Sequence, residues 1–266
     1  MSIIFSTCWY SLKAKFPEST YLIWMDNLLS SVQNFYLVLY TDEQNYNYFL
    51  SKYGKNYKIK IIIKPLNQFY NYQFKEFWIK NHANNPLLNT KINWELNMLW
   101  SEKVHFVHQT RISNYFPETN YYGWIDIGYF RCRPHLDIPR EIIQKFPNPN
   151  KISQLNKNKI HYALVNRNNN YIYYLIDLIK NKQPIPQNQI SIGGASFIGH
   201  KDKIEWWKNT YQTKLEQYII ESRVVKDDQI IIVDCVFSEA TLENFELHQQ
   251  ITETVDPWFV FSVSLL

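Results

Sequence analysis

An α/β fold with a mixed, mostly parallel central sheet flanked by helices is the architecture this sequence predicts. The first reason is a strand, helix, strand, helix, strand rhythm between Ser2 and Pro65. The second is Phe35-Tyr36-Leu37-Val38-Leu39-Tyr40, an unbroken apolar run that fits a strand covered on both faces. The third is Tyr121-Tyr122-Gly123-Trp124-Ile125, an aromatic and β-branched run that ends on an acid, Asp126, where such sheets place ligands.

Taken in order, Ser2 to Thr7 reads as the first strand, ending on small polar groups. Tyr21 to Leu29 has apolar spacing for a helix packed on a sheet, and Thr41-Asp42-Glu43 stops the second strand. Glu43 to Tyr53 predicts a helix closed by Gly54, and Tyr57 to Pro65 a third strand stopped by proline. Leu66 to Asn93 reads as an irregular excursion with helical pieces. Trp94 to Tyr115 follows as one long helical stretch, carrying Lys103 and Arg111, with Trp94, Met98, Val104, Val107 and Ile112 as its apolar stripe. Pro134 to Ile160, rich in Pro, Asn and Lys, reads as a surface loop or lid. His161 to Val165 resumes the sheet, Ile172 to Ile179 is helical, and Asp202 to Ile220 forms an amphipathic helix. The chain divides as one domain, residues 1–133 forming one half and 134–266 the other with a C-terminal extension.

Composition excludes several classes. With 266 residues, 45% hydrophobic and 20% charged, the chain can bury a core and is not a disordered segment. A net charge of +4 without a basic stripe argues against nucleic acid. No apolar run has membrane-span length and the N-terminus has no secretion signal, so a cytoplasmic protein without an integral membrane segment is expected. Cys8, Cys132 and Cys235 have no metal-ligand spacing and cannot all pair within the chain, which fits a reducing compartment. The excess of Asn, Lys, Ile, Tyr and Phe matches an AT-rich genome, such as that of a virus replicating in host cytoplasm.

Four places carry candidate chemistry. Asp126, followed by Ile127 and Gly128, either holds a cation or a ligand at a cleft or caps the next turn; Gly128 would let a ligand approach the backbone. Ile190 to His200 holds Gly193, Gly194 and Gly199, three of only six glycines, which fits either a close ligand approach or a turn or bulge between two strands. Asp227-Asp228-Gln229 precedes an apolar run, and the acids either simply cap the helix or, since one acid suffices for capping, leave the other for a substrate hydroxyl or sugar ring. In the tail, Glu246, His248 and Asp256 could ligate a metal or phosphate.

The order of these pieces resembles nucleotide-diphospho-sugar transferases of the GT-A fold, a Rossmann-like architecture, and within them the HtrL/YibB-like group. The resemblance rests on Tyr21 to Leu29, Thr41-Asp42-Glu43, Leu99 to Lys103, Trp124 to Arg131, Gly193-Gly194 and Asp227-Asp228-Gln229. It implies a glycosyltransferase that moves a sugar, a UDP-sugar being favoured, from a nucleotide-diphosphate donor to a hydroxyl of a glycan or other acceptor. On that resemblance Thr7 and Asp42 line the nucleotide pocket, and Lys103 sits near the donor diphosphate. Asp126 binds Mn²⁺ or Mg²⁺, while Gly193 and Gly194 lie under the sugar or acceptor. Asp228 and Gln229 act at the reacting centre, Asp228 as general base if the anomeric centre inverts. The family's usual acidic motif is Asp-x-Asp, so Asp126-Ile127-Gly128 lacks one carboxylate and leaves metal dependence open. That departure also fits a catalytically silent binder of nucleotide sugar or glycan. A nuclease or phosphatase built on Asp126, Asp227 and Asp228 is a third alternative. Phe69 to Trp78 and Trp258 to Phe261 are candidate acceptor walls.

Overall fold

Two crossovers in opposite senses set the position of everything that follows. In the computed structural model, which describes residues 3–131, 143–249 and 256–266, seven strands form one sheet in the order β3-β2-β1-β4-β6-β5-β7. The chain starts in the middle with β1 (Ile3–Trp9) and steps outward through α1 (Glu18–Leu29) to β2 (Tyr36–Thr41), then through α2 (Glu43–Tyr53) to β3 (Ile59–Ile63). It returns by way of α3 (Lys75–Ala83), α4 (Trp94–Ser101) and α5 (Lys103–Ile112) to β4 (Tyr121–Ile125), on the other side of β1. These four strands are parallel.

Alternation along each strand divides the core into two faces. In β1, Ile4 and Cys8 join one buried cluster while Ile3, Phe5 and Trp9 join the other. β2 divides in the same way, with Val38 and Tyr40 on one face and Leu37 and Leu39 on the other. Met25 and Leu28 of α1 and Phe49 of α2 cover the second face, whereas Met98 of α4 and Phe106 and Val107 of α5 cover the first. The helices therefore change sides between β1 and β4. A crevice at the carboxyl ends of those two strands is the geometric result.

The second half of the chain completes the sheet. After α6 (Pro149–Ser153) come β5 (Ile160–Leu164), α7 (Asn169–Lys180) and β6 (Ile192–His200), then α8 (Lys201–Ile220), α9 (Asp228–Val236), β7 (Phe245–His248) and α10 (Val260–Ser264). β6 runs antiparallel to both β4 and β5, and β7 pairs parallel with β5, so the sheet is mixed and mostly parallel as expected. Because β6 is antiparallel, its early residues sit beside the end of β4: Ile125 faces Ser196, and the Asp126 amide donates to the Ala195 carbonyl at 2.8 Å. No helix among the described residues is long and apolar enough to cross a membrane.

Several boundaries differ from the sequence reading. β1 continues past Thr7 to Trp9, because Cys8 and Trp9 pair onward with Tyr40 and Thr41 of β2. The stretch from Trp94 is two helices joined at Glu102, whose buried carboxylate accepts the Tyr70 and Asn71 amides at 2.7 and 3.1 Å. Ile112 of its expected stripe is half exposed. The glycine-rich segment lies in one strand, β6, not a turn between two strands, and its pairing with β5 has the register irregularity of the bulge reading, between Tyr162 and Leu164. β7 had no counterpart in the sequence reading, and of the proposed loop or lid the part at 134–142 lies outside the described residues.

Candidate functional site

The crevice between β1 and β4 opens into a cleft of about 330 Å³, within the usual range for small-molecule sites. Residues at and just past the two strand ends form its floor: Trp9 and Tyr10 at the end of β1, and Asp126 to Tyr129 after β4. Aromatic side chains wall it, among them Tyr21 from α1, Trp100 from α4 and Trp258 near the C-terminus.

At its centre stands Lys103, the first residue of α5 and only 6% exposed. α5 runs back across the sheet from the strands' carboxyl ends, and its first turn brings the ammonium between three acceptors. Lys103 Nζ lies 3.0 Å from Asp126 Oδ1, 2.9 Å from Asp228 Oδ2 and 2.8 Å from the Gly194 carbonyl oxygen. The ammonium donates to the Gly194 carbonyl and is ion-paired with both carboxylates. Burial works against the charge, but Asp126 and Asp228 outweigh it and hold the Lys103 pKa above its ordinary value. A cation at a helix N-terminus also opposes the helix dipole, so these carboxylates stabilise it there.

Each partner is fixed in turn. Asp126 Oδ1 also accepts from the Trp124 indole at 2.6 Å, and the Asp126 carbonyl closes a turn with the Tyr129 amide at 2.8 Å. Asp228 opens α9, where an acid suits the helix dipole. It is buried, and that burial pushes its carboxyl up to about 6 against the lowering pull of Lys103, with Asp227 and Asp126 adding to the rise. Gly194 is where a side chain has no room: a Cβ there would lie 2.9 Å from Asp228 Oδ2 and 3.0 Å from Gln229 Cγ. The glycine thus serves the contact between β6 and α9.

Asp227 occupies the N-cap position of α9, yet its side chain makes no capping bond. It pairs instead with Lys226 at 3.1 Å, and its buried Oδ1 has no hydrogen-bond partner among the described residues. Neither acid of the pair caps the helix with its side chain, contrary to the simpler of the two sequence readings.

The structure brings Lys103, Asp126, Gly128, Gly194, Asp228 and Gln229 to the same cleft. It leaves out three expected residues. Thr7 is wholly buried inside β1, two residues short of the strand end, so Cys8, Trp9 and Tyr10 take its place at the cleft. Asp42 caps α2, accepting from the Asn45 amide at 2.9 Å and its side-chain nitrogen at 2.8 Å. Gly193 faces Val165, Ala163 and Trp258 on the opposite side of β6 from Gly194. Gly128 lines the cleft, but the space beside it is taken by Trp24 and Tyr21, so helix packing explains it. Phe69 and Trp78 are core residues, whereas Trp258 and Phe259 do wall the cleft.

Two cations were missed. Arg131 lies with its guanidinium 4.9 Å from the Trp24 ring and donates to the Gly128 carbonyl at 3.1 Å; Lys15 lies 4.8 Å from the Trp100 ring. Both line the cleft, and neither forms an ion pair among the described residues. The signal for Arg131 was its place in the Trp124 to Arg131 motif; Lys15 carried none.

The residues around Asp126 do not fit a divalent cation. The ammonium already stands between Asp126 and Asp228, and Asp126 Oδ1 is shared with an indole N–H. Such an ion takes negatively charged oxygen ligands, and a lysine charge 3.0 Å from the nearest one opposes it.

No family model and no curated protein matches this chain by sequence. Among solved structures it is similar to the apo form of mouse xyloside xylosyltransferase 1, with 11% identity over 94% of this chain and 86% of that chain and a TM-score of 0.49.

Proposed function

We propose that this protein transfers a glycosyl group from a nucleoside-diphosphate sugar to a hydroxyl acceptor. The observation that carries the reading is the Asp126–Lys103–Asp228 cluster, anchored on the Gly194 carbonyl at a topological switch point. The motif order that resembles GT-A transferases of the HtrL/YibB-like group supports it, since the residues at the cleft centre come from those motifs.

In this reading Lys103 is a positioning residue. Its charge is already paired with Asp126 and Asp228, so it fixes these two carboxylates and leaves the donor diphosphate to Arg131 and Lys15. A guanidinium suits that task because its fork of donors matches phosphate oxygens. When the glycosidic bond to the diphosphate breaks, the nucleoside diphosphate leaves with the bonding pair, and these cations stabilise the growing charge. Asp228, with a carboxyl titrating near 6, is ionised at neutral pH and takes the proton of the acceptor hydroxyl. The partnerless Oδ1 of Asp227 and the Gln229 amide bind sugar hydroxyls; burying that oxygen unsatisfied would otherwise cost about 1–3 kcal/mol. Trp100 and Trp258 supply flat apolar faces to a sugar or base ring. No step passes through a metal.

The test is a panel of UDP-, GDP-, CMP- and dTDP-sugars with and without glycan acceptors, measuring release of the nucleotide. The reading expects release from one donor class by the wild type and loss of it in Asp228→Asn. Saturable donor binding with neither transfer nor hydrolysis would support the catalytically silent alternative. Phosphate release from a plain nucleotide would support the nuclease or phosphatase class.

A further inference from the structure

Away from the cleft, at the β5–β7 edge of the sheet, the structure gathers His161 from β5 with Glu246 and His248 from β7. One ligand atom from each lies within 4.8 Å of the others. His161 Nδ1 is 3.0 Å from His248 Nε2 and 3.9 Å from Glu246 Oε2. Ligand atoms at about 2.0–2.1 Å from a tetrahedral ion stand roughly 3.3 Å apart, so these separations bracket that spacing.

The orientation of His161 adds a separate indication. Its other nitrogen, Nε2, is 3.0 Å from the Asn156 carbonyl oxygen, an acceptor only, so Nε2 carries the proton and Nδ1 turns a lone pair towards His248 and Glu246. A ring nitrogen bonded to a backbone carbonyl is the outer-shell arrangement that orients metal-ligating histidines. His161 is fully buried, whereas the Glu246 side chain is 43% exposed, which leaves an entry path from solvent.

We infer that His161 Nδ1, His248 Nε2 and Glu246 form a site for Zn²⁺, completed by water. Two imidazoles and one carboxylate suit zinc, whereas Mg²⁺ and Ca²⁺ favour all-oxygen sets. Asp256, named with these residues from sequence, plays another part: it accepts from the Trp258 amide at 3.0 Å. The site has a use in the fold. Phe261 of α10 stacks on the His248 ring, centroids 4.4 Å apart, and the same C-terminal segment carries Trp258 and Phe259 of the cleft wall. Zinc here joins β5 to β7 and fixes the ring on which that segment rests.

The experiment uses full-length protein made without a polyhistidine tag and dialysed against chelator. Co²⁺, whose visible bands intensify in a tetrahedral site, is titrated into wild type, His248→Ala and Glu246→Gln, and Zn²⁺ is then added in competition. The expected result is one Co²⁺ per chain with intense bands, displaced by Zn²⁺, and a zinc-dependent rise in melting temperature. In Glu246→Gln, which changes a half-exposed side chain and tests the site if His248→Ala fails to fold, affinity falls by more than the ~10–100-fold that loss of an outer-shell partner costs. Featureless Co²⁺ spectra in wild type, or bands of equal strength in Glu246→Gln, would overturn the inference and leave a plain His–His hydrogen bond.

Discussion

Two polar clusters sit in this sheet, one at the β1–β4 switch point and one at the β5–β7 edge, and they are opposite in kind. At the switch point the chain brings its own cation: Lys103 is ion-paired with two carboxylates and donates to a carbonyl. At the edge it brings two imidazoles and a carboxylate, and among the described residues no lysine or arginine is ion-paired with Glu246. The contrast teaches that a carboxylate at a ligand-binding crevice does not by itself mark a metal site. What decides is whether a lysine or arginine already holds the position.

Removing the internal cation should have the largest effect. In Lys103→Met, Asp126 and Asp228 face each other without compensation, and breaking a buried pair in this way costs about 3–5 kcal/mol, read from denaturant unfolding at neutral pH. At pH 5 the loss should be smaller, because a carboxyl such as Asp228, already displaced upward, can protonate. Equal losses at both pH values would mean that packing, not charge, is what Lys103 contributes.

Next in size is Gly194→Ala. The added methyl meets Asp228 Oδ2 at 2.9 Å, so Asp228 or β6 must shift. Overpacking of this sort costs about 1–3 kcal/mol, and nucleotide release should fall with it. A variant of wild-type stability and rate would show that Asp228 need not be held at Lys103.

Arg131→Ala should weaken nucleoside-diphosphate binding by about 10–100-fold, the loss of one or two charge-assisted bonds, with little change in melting temperature. Titration calorimetry with the free nucleotide separates these two readings. Unchanged affinity would remove Arg131 from the diphosphate site.

A further test is the pH dependence of Asp228. Its carboxyl is raised from an ordinary 3.8 to about 6. The neutral form is therefore favoured by folding, and the stability this gives is complete below pH ~4 and lost as the pH rises through ~6. Activity runs the other way, since a base must be ionised: the rate should fall about tenfold per pH unit below ~6. A rate profile flat from pH 5 to 7 would exclude Asp228 as the base.

The same contrast explains what could be read in advance. Local periodicity reports burial, so α2 was placed to the residue, from Glu43 to Tyr53, and β2 and the long helix before Ile220 were recognised. Asp126, Gly194 and Asp228, which line the cleft, were singled out because each interrupts an apolar or glycine-poor context, and Lys103 because of the motif resemblance. Thr7 was misplaced because a polar residue inside β1 looks like a strand end, while pairing with β2 carries the strand to Trp9. Asp42 was misread because a capping acid and a pocket acid look alike in sequence; only the Asn45 amide distinguishes them. That Lys103 is already paired with two carboxylates and a carbonyl could not be read at all, since these partners come from three distant segments. The same holds for His161 and His248, 87 residues apart, which meet only because the four-residue edge strand β7 pairs with β5.

The most direct test of the central claim is donor binding in buffer free of Mg²⁺ and Mn²⁺. The account predicts that one class of nucleoside-diphosphate sugar binds saturably there, that added Mn²⁺ leaves the affinity unchanged, and that Lys103→Met loses the binding. Binding that appears only when Mn²⁺ is added, and that Asp126→Ala abolishes, would contradict it and make Asp126 a metal ligand after all.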